Sequence, residues 1–441
     1  MQNTDYRDDA DGRMLLYKGP MVLVGPDTGV ELEGEIFLSY LPSPTVRFEG
    51  KRNEAADIEP TVKHRLRLPA SHCYAATILH TELQLEPQSS TFRVRGRVEG
   101  RLDKPAWNNA SSGRFLVMNF PPILGRPIEV GRNWSGLARV SLSSDQWRID
   151  IDRATDSSKR LERLKESGGF AWTASALIRR PDDSRFSAED FCDALDGLFY
   201  YLSFTAGRWT GLCLPEAYDA ADDLVGDNWT CQPTTPYRNV ASWAATDRPE
   251  CFEQPYGQFC ELYADPYWRE VLVIAIHWYI EANNQAGKIE GSIALTQTAL
   301  ELLAATILVE QEKWISHGAY DKLPAGDRLR LLSKWAGIPA GIPTELNELV
   351  TLANDKQNRW LDGAHAFVEI RNSIIHPTKK NRERFKQHST GARVDAWLLG
   401  LWMVELVLLR LFGYRGLYVR RTARGAATAL ETVPWAATPS P

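Results

Sequence analysis

A six-residue segment of the sequence, RNSIIH, combines side chains that can cleave a phosphodiester bond. Arg371, Asn372 and His376 belong to it, and Pro377 follows at once. Because the residue before a proline is disfavoured in the α region, we expect His376 at the last turn of a helix for which Asp362 is the N-cap. Carbonyl groups at a helix C-terminus favour a cation and an imidazole titrates near neutral pH, so a histidine there can exchange protons. A guanidinium binds phosphate oxygens in pairs, and the three side chains together suit RNA cleavage without a metal ion.

The spacing of these residues predicts a site that two chains share. Asn372 lies four residues before His376 and therefore on the same helix face, whereas Arg371 lies five residues before it, about 140° around an ideal helix. Within one chain the guanidinium approaches the imidazole from the flank. A second copy across a two-fold axis would bring another arginine and histidine to the same cleft, so we expect a homodimer through this helical region.

An arginine followed by a histidine is not specific by itself. The segments Arg67–His72, Arg359–His365 and Arg382–His388 show similar spacings, but none has an asparagine directly after the arginine. The prediction therefore depends on the combination of Asn372, a helical stretch before the motif and Pro377 after it.

Two further sets of residues could support the site. Glu301 stands alone among apolar and small residues, where a carboxylate needs a partner, and it could hold Arg371 in place or face solvent between helices. The densest basic stretch of the chain follows the motif, and it could bind RNA phosphates or form a solvated loop. Its cations are Lys379, Lys380, Arg382, Arg384 and Lys386.

The elements that position these residues fall into two halves. Short alternating, β-rich runs separated by turn formers predict a mainly antiparallel β domain over residues 14–260, a sandwich or an open barrel, after an N-terminal tail at 1–13. Within it, Ser187 and Asp190 form a capping box that predicts a helix over about 188–204. Residues 207–254 look irregular, and we expect their acidic run to be solvated.

The second half has helical periodicity. Residues 265–415 predict an all-α bundle, residues 425–441 a loose tail, and the whole chain an α+β multidomain protein. The segment Ala396–Gly413 is apolar enough to suggest a membrane span. It contains Glu405 and Arg410, however, and because charges are costly in a bilayer we expect a buried bundle helix and no membrane.

Composition excludes several classes of function. The net charge of −5 gives no general attraction for nucleic acid, so RNA binding must depend on a local basic patch. The six cysteines form no CxxC pair, and neither Walker, GxSxG, GxGxxG nor HExxH motifs occur, so we expect no metal and no cofactor. The acidic start of the chain is unlike a signal peptide, so we expect a cytoplasmic protein.

The segment RNSIIHP, in a bundle behind a long apolar helix, resembles the R-N-x-x-x-H signature of HEPN-domain ribonucleases. The resemblance covers about residues 265–415. A β-rich half before such a domain is similar in layout to ApeA-like abortive-infection proteins of bacteria. The resemblance implies a homodimeric, metal-independent endoribonuclease that acts in anti-phage defence on RNA, with tRNA as one candidate, and a phage-derived trigger at the N-terminal domain.

The resemblance also implies a role for each motif residue. His376 would act as base or acid at the ribose 2′-hydroxyl or the leaving 5′-oxygen, and Arg371 would stabilise the charged phosphorane. Asn372 would orient the phosphate or the other two side chains, and the product would be a 2′,3′-cyclic phosphate. The alternative is a non-catalytic HEPN-like module that binds RNA or protein, in which Arg371 and His376 are structural. An aromatic-rich middle with Trp209, Trp229 and Trp243 is compatible with that alternative.

Overall fold

A computed structural model provides the fold. It describes residues 12–26, 29–56, 58, 62–69, 73–86, 89–101, 108–130, 133–285, 287–355, 358, 360–376, 378–423 and 429–436. Antiparallel sheets make up the N-terminal part and helices the C-terminal part, which confirms the mixed α and β class predicted from the sequence. The predicted tail at 1–13 and Pro377 lie largely or wholly outside the described residues.

The chain divides into two compact units, and both are discontinuous in sequence. The first comprises Met1–Pro122, Gln146–Phe199 and Thr210–Arg238, and the second Ile123–Asp145, Tyr200–Trp209 and Asn239–Pro441. The sequence-based division, with one boundary at residues 255–265, therefore differs from the division by contacts. A single boundary cannot represent segments that leave one unit and return to it.

The first unit contains a six-stranded closed barrel in the order β1-β2-β3-β6-β5-β4. Inward residues alternate with outward ones, and the inward set, which includes Leu32, Phe48 and Val94, forms the core. A sandwich or an open barrel was expected; the barrel is closed because β1 also pairs with β4. The strands are β1 Met14–Val24, β2 Gly29–Ser39, β3 Thr45–Arg52, β4 His64–Arg67, β5 Cys73–Glu86 and β6 Ser89–Arg101.

Five further strands of this unit lie side by side in the order β13-β12-β7-β11-β10. Two of them, β12 and β13, fall within residues 207–254, so the prediction that this stretch is irregular is wrong for these two strands, whereas residues 228–249 form no helix or strand element. Short strands without clear alternation escape a pattern search. The strands are β7 Ser112–Met118, β10 Arg148–Arg153, β11 Trp172–Arg179, β12 Leu212–Tyr218 and β13 Leu224–Asp227; β8 Arg126–Val130 and β9 Asn133–Ser143 pair within the second unit.

Two helices accompany these strands, α1 Ser157–Ser167 and α2 Ala188–Ala206. The start of α2 is the predicted capping box: Asp190 N–H donates to Ser187 Oγ at 3.1 Å, and Ser187 N–H donates to Asp190 Oδ2 at 3.0 Å. The predicted helix over about 188–204 is thus confirmed, and its first turn is stabilised by local polar groups.

The second unit is helical around α12, whose residues from Leu399 to Leu409 are buried. Helices α5, α6, α8, α9 and α10 all pack against α12, as expected for a central bundle member. The helices are α3 Glu250–Glu253, α4 Tyr256–Ala264, α5 Pro266–Asn283, α6 Lys288–Ala305, α7 His317–Tyr320, α8 Ala325–Ala336, α9 Asn347–Asn354, α10 Gly363–Ile375, α11 Lys379–Gln387 and α12 Thr390–Leu411.

A fully buried ion pair satisfies the charge within the apolar helix α12. Glu405 is wholly buried and pairs with Arg421, whose Nε lies 3.2 Å from both carboxylate oxygens. Tyr279 on α5 donates to the same carboxylate at 2.7 Å, and Arg421 Nη1 donates to Asn283 Oδ1 at 2.9 Å. Burial by itself would lower the pKa of Arg421, but Glu405 and Tyr279 raise it, so the guanidinium remains charged.

The described part of the C-terminal segment is ordered against the bundle, so the predicted loose tail at 425–441 is wrong for these residues. Strand β14 Leu417–Val419 pairs with β15 Leu430–Thr432, and Val433 is fully buried. Trp435 Nε1 then donates to the carbonyl of Tyr414 at 2.6 Å. A polar, alanine-rich composition concealed the few apolar anchors that hold this segment.

One described helical stretch, Lys288–Gln311, is long and apolar enough to cross a membrane. Within its most apolar window, 61% of the residues are buried inside the protein. Burial of this kind is what a core helix of a bundle requires, so length and composition alone do not make it a span. The stretch Ala396–Gly413, in which a buried bundle helix was expected, lies mostly within the buried helix α12.

Candidate functional site

Helix α10 places the motif at its C-terminal end. Asp362 caps the helix by accepting from His365 N–H at 2.8 Å, and α10 then runs through Ile375. His376 is the C-cap, with φ −88° and ψ 114°, and its N–H donates to the carbonyl of Asn372 at 3.2 Å. The predicted N-cap and the predicted position of His376 at the helix end are both confirmed.

Arg371 is half-buried on the flank of α10, and its guanidinium is only partly satisfied. Nη1 donates to Asn372 Oδ1 at 3.3 Å, which ties the two motif residues together. Nε is buried and has no acceptor among the described residues. A buried donor without an acceptor costs about 1–3 kcal/mol, and a water, an ion or a ligand can supply the acceptor.

His376 is exposed, and no described residue forms a hydrogen bond with its ring. Within one chain the structure therefore brings Arg371 and Asn372 together but does not join either side chain to the imidazole. This separation follows from the five-residue spacing, which turns Arg371 towards the buried flank and leaves His376 at the tip of the helix.

Glu301 lies on α6 and is half-buried, between the two environments considered from the sequence. It accepts from Gln297 Nε2 at 2.7 Å, one helical turn earlier. In the described part of the chain no ion pair joins Glu301 to Arg371, so the contact in which it would hold the guanidinium is not observed. Its charge instead acts on Tyr320: burial raises the pKa of that phenol to about 12, with Arg328 opposing and Glu301 adding to the shift.

The basic stretch after the motif forms helix α11 rather than a loop. Thr378 caps it by accepting from Asn381 N–H, and none of its residues is buried. Arg384 Nη1 pairs with Glu369 Oε2 on α10 at 2.8 Å, which fixes one helix to the other. The first turn of α11, with exposed Lys379 and Lys380, begins three residues after His376, so the imidazole lies between a helix C-terminus and a basic helix N-terminus.

A buried serine and a buried histidine link the motif helix to a neighbouring helix, and sequence analysis did not select them. Ser373 Oγ donates to the carbonyl of Ile370 at 2.6 Å and lies 3.2 Å from His388 Nδ1. Because the single hydroxyl proton is used on the carbonyl, the geometry assigns the Nδ1 proton to His388 as donor. Burial lowers the pKa of His388, and Arg384 and Arg393 lower it further, so the neutral ring ties α10 to the start of α12.

A cavity of about 320 Å³ lies at the other end of α10, against Gly363 and Ala364. Its floor is largely apolar, and Arg330 pairs with Asp362 at its edge. The 13 residues of α10 span roughly 20 Å at 1.5 Å per residue, so this cavity is separate from His376. Among the described residues no three His, Cys, Asp or Glu side chains are grouped as metal ligands.

The tryptophans of the middle segment serve packing. Trp243 is fully buried, with its ring centroid 5.3 Å from that of Phe204. Trp229 stacks on Tyr74 with centroids 4.5 Å apart. Trp209 Nε1 donates to a carboxylate on α5 at 2.8 Å. These three rings therefore pack within the two units, and none of the three is exposed.

Comparison with known proteins relates the chain to a phage protein. Residues 108–240 match the YopA central domain family, and residues 265–432 match the YopA C-terminal domain family. The chain is 26% identical over 437 residues to the SPbeta prophage-derived uncharacterized protein YopA of Bacillus subtilis (strain 168), covering 97% of this chain and 96% of the relative. No solved structure matches the chain.

These matches name neither HEPN nor ApeA-like proteins, so that resemblance stays a prediction. The C-terminal match begins with α5 and continues beyond the last helix through β15. It therefore includes both the motif and the strand pair that follows the bundle. The chain is similar, over nearly its whole length, to a protein derived from a prophage.

Proposed function

We propose that the chain is a metal-independent endoribonuclease that acts as a homodimer through Arg371, Asn372 and His376. The observation that carries the proposal is the guanidinium of Arg371, which Asn372 holds at 3.3 Å while its buried Nε has no acceptor in the described chain. An exposed imidazole lies just beyond the same helix end. A held guanidinium with an unused donor fits a phosphate, and an exposed imidazole at the end of the same helix fits proton transfer.

The reaction needs only these groups. His376 takes the proton of a ribose 2′-hydroxyl, and the 2′-oxygen attacks the adjacent phosphorus. Arg371 stabilises the negative charge that develops on the phosphorane oxygens. The bond to the 5′-oxygen then breaks, and that oxygen takes a proton from the second His376 of the dimer. The products are a 2′,3′-cyclic phosphate and a 5′-hydroxyl end.

Helix α11 supports substrate binding in this proposal. Lys379, Lys380 and Lys386 are exposed, and point charges of this kind attract phosphates without reading sequence. Arg384 already pairs with Glu369, so we expect it to contribute less. Arg382 completes the basic face.

The prophage origin of the YopA relative suggests a biological setting for the proposal. An RNase in conflicts between phages and their bacterial hosts would work in the cytoplasm, where the host RNA and tRNA are. The N-terminal unit would then receive a trigger of phage origin, and abortive infection would follow from RNA cleavage.

The test uses purified full-length chain with total RNA and a defined tRNA, in EDTA, with and without phage lysate as a source of trigger. We expect cleavage with cyclic phosphate ends by the wild type, and at least a hundredfold loss in His376→Ala and Arg371→Ala. The matched control is His317→Ala, because His317 is equally exposed but lies on α7. Identical RNA patterns for wild type and His376→Ala in every condition would refute the proposal, as would cellular toxicity that persists in Arg371→Ala.

A second candidate is a non-catalytic HEPN-like module that binds RNA or protein. The observation that favours it is the absence, among the described residues, of any hydrogen bond between the His376 ring and the rest of the motif. The two candidates differ in what His376→Ala should do. If His376 is catalytic, its exposed ring without a hydrogen-bond partner adds little stability, and its removal should lower the free energy of unfolding by no more than about 0.5 kcal/mol. A marked fall in Tm without any change in RNA cleavage would favour the structural reading.

A further inference from the structure

We infer that the outer face of the barrel, over strands β3, β6 and β4, binds the sugar-phosphate backbone of single-stranded nucleic acid. The inference starts from β6, where Arg93, Arg95 and Arg97 are exposed and the residues between and beside them are buried. Their Cα atoms repeat at about 6.8 Å, two residues of an antiparallel strand. Such a row presents one guanidinium after another in a line, which suits a chain of regularly spaced phosphates.

The pairing register places like charges opposite each other. Arg97 of β6 lies directly across from Arg47 of β3, and Arg93 lies across from Lys51. Directly opposed side chains in an antiparallel pair are close enough that like charges destabilise the sheet. In this stretch only Arg95 faces an acid on β3: its Nε is 3.4 Å from Glu49 Oε1.

Neighbouring strands leave the pair of Arg47 and Arg97 without a compensating acid in register. On its other side Arg97 is opposite Thr77, and Arg47 is opposite the buried Phe37. Arg47 Nη2 donates to the carbonyl of Leu41, while its Nε is buried and has no acceptor in the described chain. By contrast, Arg93 is opposite an acid of β5 and Lys51 is opposite an acid of β2. The least compensated point is therefore the pair Arg47 and Arg97.

The basic band continues over β4. Arg65 and Arg67 are exposed there, opposite Ala75 and Cys73 of β5, and opposite two valines of β1. Because adjacent strands lie about 4.8 Å apart, β4 and β6 are roughly 10 Å from each other, within the width of one polynucleotide strand. The described acids of this outer face are Glu49, Glu82 and Glu99, together with Glu33 and Glu35 of β2, which lie opposite Lys51 and Glu49. Seven cations outnumber these five acids: Arg47, Lys51, Arg65, Arg67, Arg93, Arg95 and Arg97.

The composition of the band favours phosphodiesters over an acidic polypeptide. Six of its seven cations are arginines, whose planar fork binds phosphate oxygens in pairs. The net charge of the whole chain is −5, so the positive charge of this face is local and does not reflect a general excess of basic residues. A bound polyanion would offset the repulsion between the directly opposed cations. In the free chain that repulsion only destabilises the sheet. The inference concerns the first unit and does not depend on cleavage by His376.

The test measures binding of fluorescein-labelled U20 RNA and dT20 DNA to the full chain by anisotropy, from 50 to 300 mM NaCl. All variants carry His376→Ala, so the RNA stays intact whether or not the chain cleaves it. The test variant is Arg93→Glu/Arg95→Glu/Arg97→Glu. The matched control, with three equally exposed cations of the same unit, is Lys159→Glu/Arg163→Glu/Lys165→Glu on α1.

We expect the β6 variant to bind at least tenfold more weakly at 100 mM salt. The slope of log Kd against log salt should be smaller by about 2, because each lost phosphate contact removes roughly 0.7 from it. The α1 variant should match the parent in both, and lysine replacements on β6 should retain the slope. Loss of binding to either oligonucleotide supports the inference. Comparison of the affinities for U20 and dT20 shows whether the ligand is RNA or DNA. Equal behaviour of the β6 and α1 variants would overturn it, as would displacement of both oligonucleotides by polyglutamate of equal length and concentration. The Tm of the triple variant, measured beside that of the parent, separates lost binding from lost folding. Arg97→Glu alone, which removes only the like-charge pair with Arg47, should still weaken binding with a Tm at or above that of the parent.

Discussion

Replacing Arg421 with methionine should destabilise the second unit more than any other single charge removal in it. The side chain of Glu405 is fully buried and that of Arg421 is 2% exposed, so the variant leaves a buried carboxylate with Tyr279 as its remaining donor. Breaking one partner of such a pair typically costs about 3–5 kcal/mol. Asn283 loses a donor as well, so the upper end of that range applies.

Urea denaturation followed by circular dichroism measures this cost. With a slope of about 2 kcal/mol per M, the upper end of the range corresponds to a fall of about 2.5 M in the midpoint. The matched control is Arg410→Met, because Arg410 belongs to the same unit, near the end of α12, but is exposed and lies over Trp435 at 5.7 Å. Its midpoint should move by no more than about 0.5 M, since surface substitutions rarely exceed 1 kcal/mol.

A double variant distinguishes the charge from the packing. Glu405→Leu/Arg421→Met removes both charges, so most of the loss should be recovered because no uncompensated ion remains. Equal midpoints for Arg421→Met and Arg410→Met would refute the reasoning. So would a double variant as unstable as the sum of its single variants, because the pair would then have no coupling free energy.

Three other predictions concern the fold and the surface. Arg97→Glu should raise the free energy of unfolding by about 0.2–1 kcal/mol, because it turns a like-charge pair with Arg47 into an opposite-charge pair; thermal denaturation measures this, and a lowered Tm would contradict it. Burial lowers the pKa of His388, so the neutral ring contributes stability that is present above the unfolded value near 6.5 and lost as pH falls below it. His388→Gln should therefore flatten the loss of stability as pH falls below about 6.5, and an unchanged pH profile would rule the contribution out. Ser187→Ala should cost about 1 kcal/mol by removing the capping box of α2, measured as a shift of the urea midpoint, whereas no shift would mean that the cap adds nothing.

Local chemistry was the part of the structure that the sequence predicted best. Asp362 and Ser187 are recognised as caps because a cap depends on residues within one helical turn. The position of His376 at a helix end follows from the neighbouring proline for the same reason. The apolar set of α12 likewise predicts a buried helix without knowledge of its neighbours.

Non-local pairing was the part that could not be predicted. Closure of the barrel depends on three residue pairs between β1 and β4, and no pattern in either strand specifies the other. The tie between Ser373 and His388 joins residues whose spacing matches no motif. At the candidate site, spacing predicted the separation of Arg371 from His376, but the bond to Asn372 and the unused Nε needed coordinates.

The ion pair inside the helical unit has a consequence for protein synthesis. Glu405 is translated 16 residues before Arg421, so every growing chain passes through a stage in which α12 is complete and its carboxylate has no countercharge. We expect the helical core to close around that charge only after the later arginine has left the ribosome, because an unpaired buried carboxylate is costly. A product terminated between these two positions would hold an ionised group in its interior, and we expect proteases to remove it quickly. Completion of the chain and completion of the core are thereby linked.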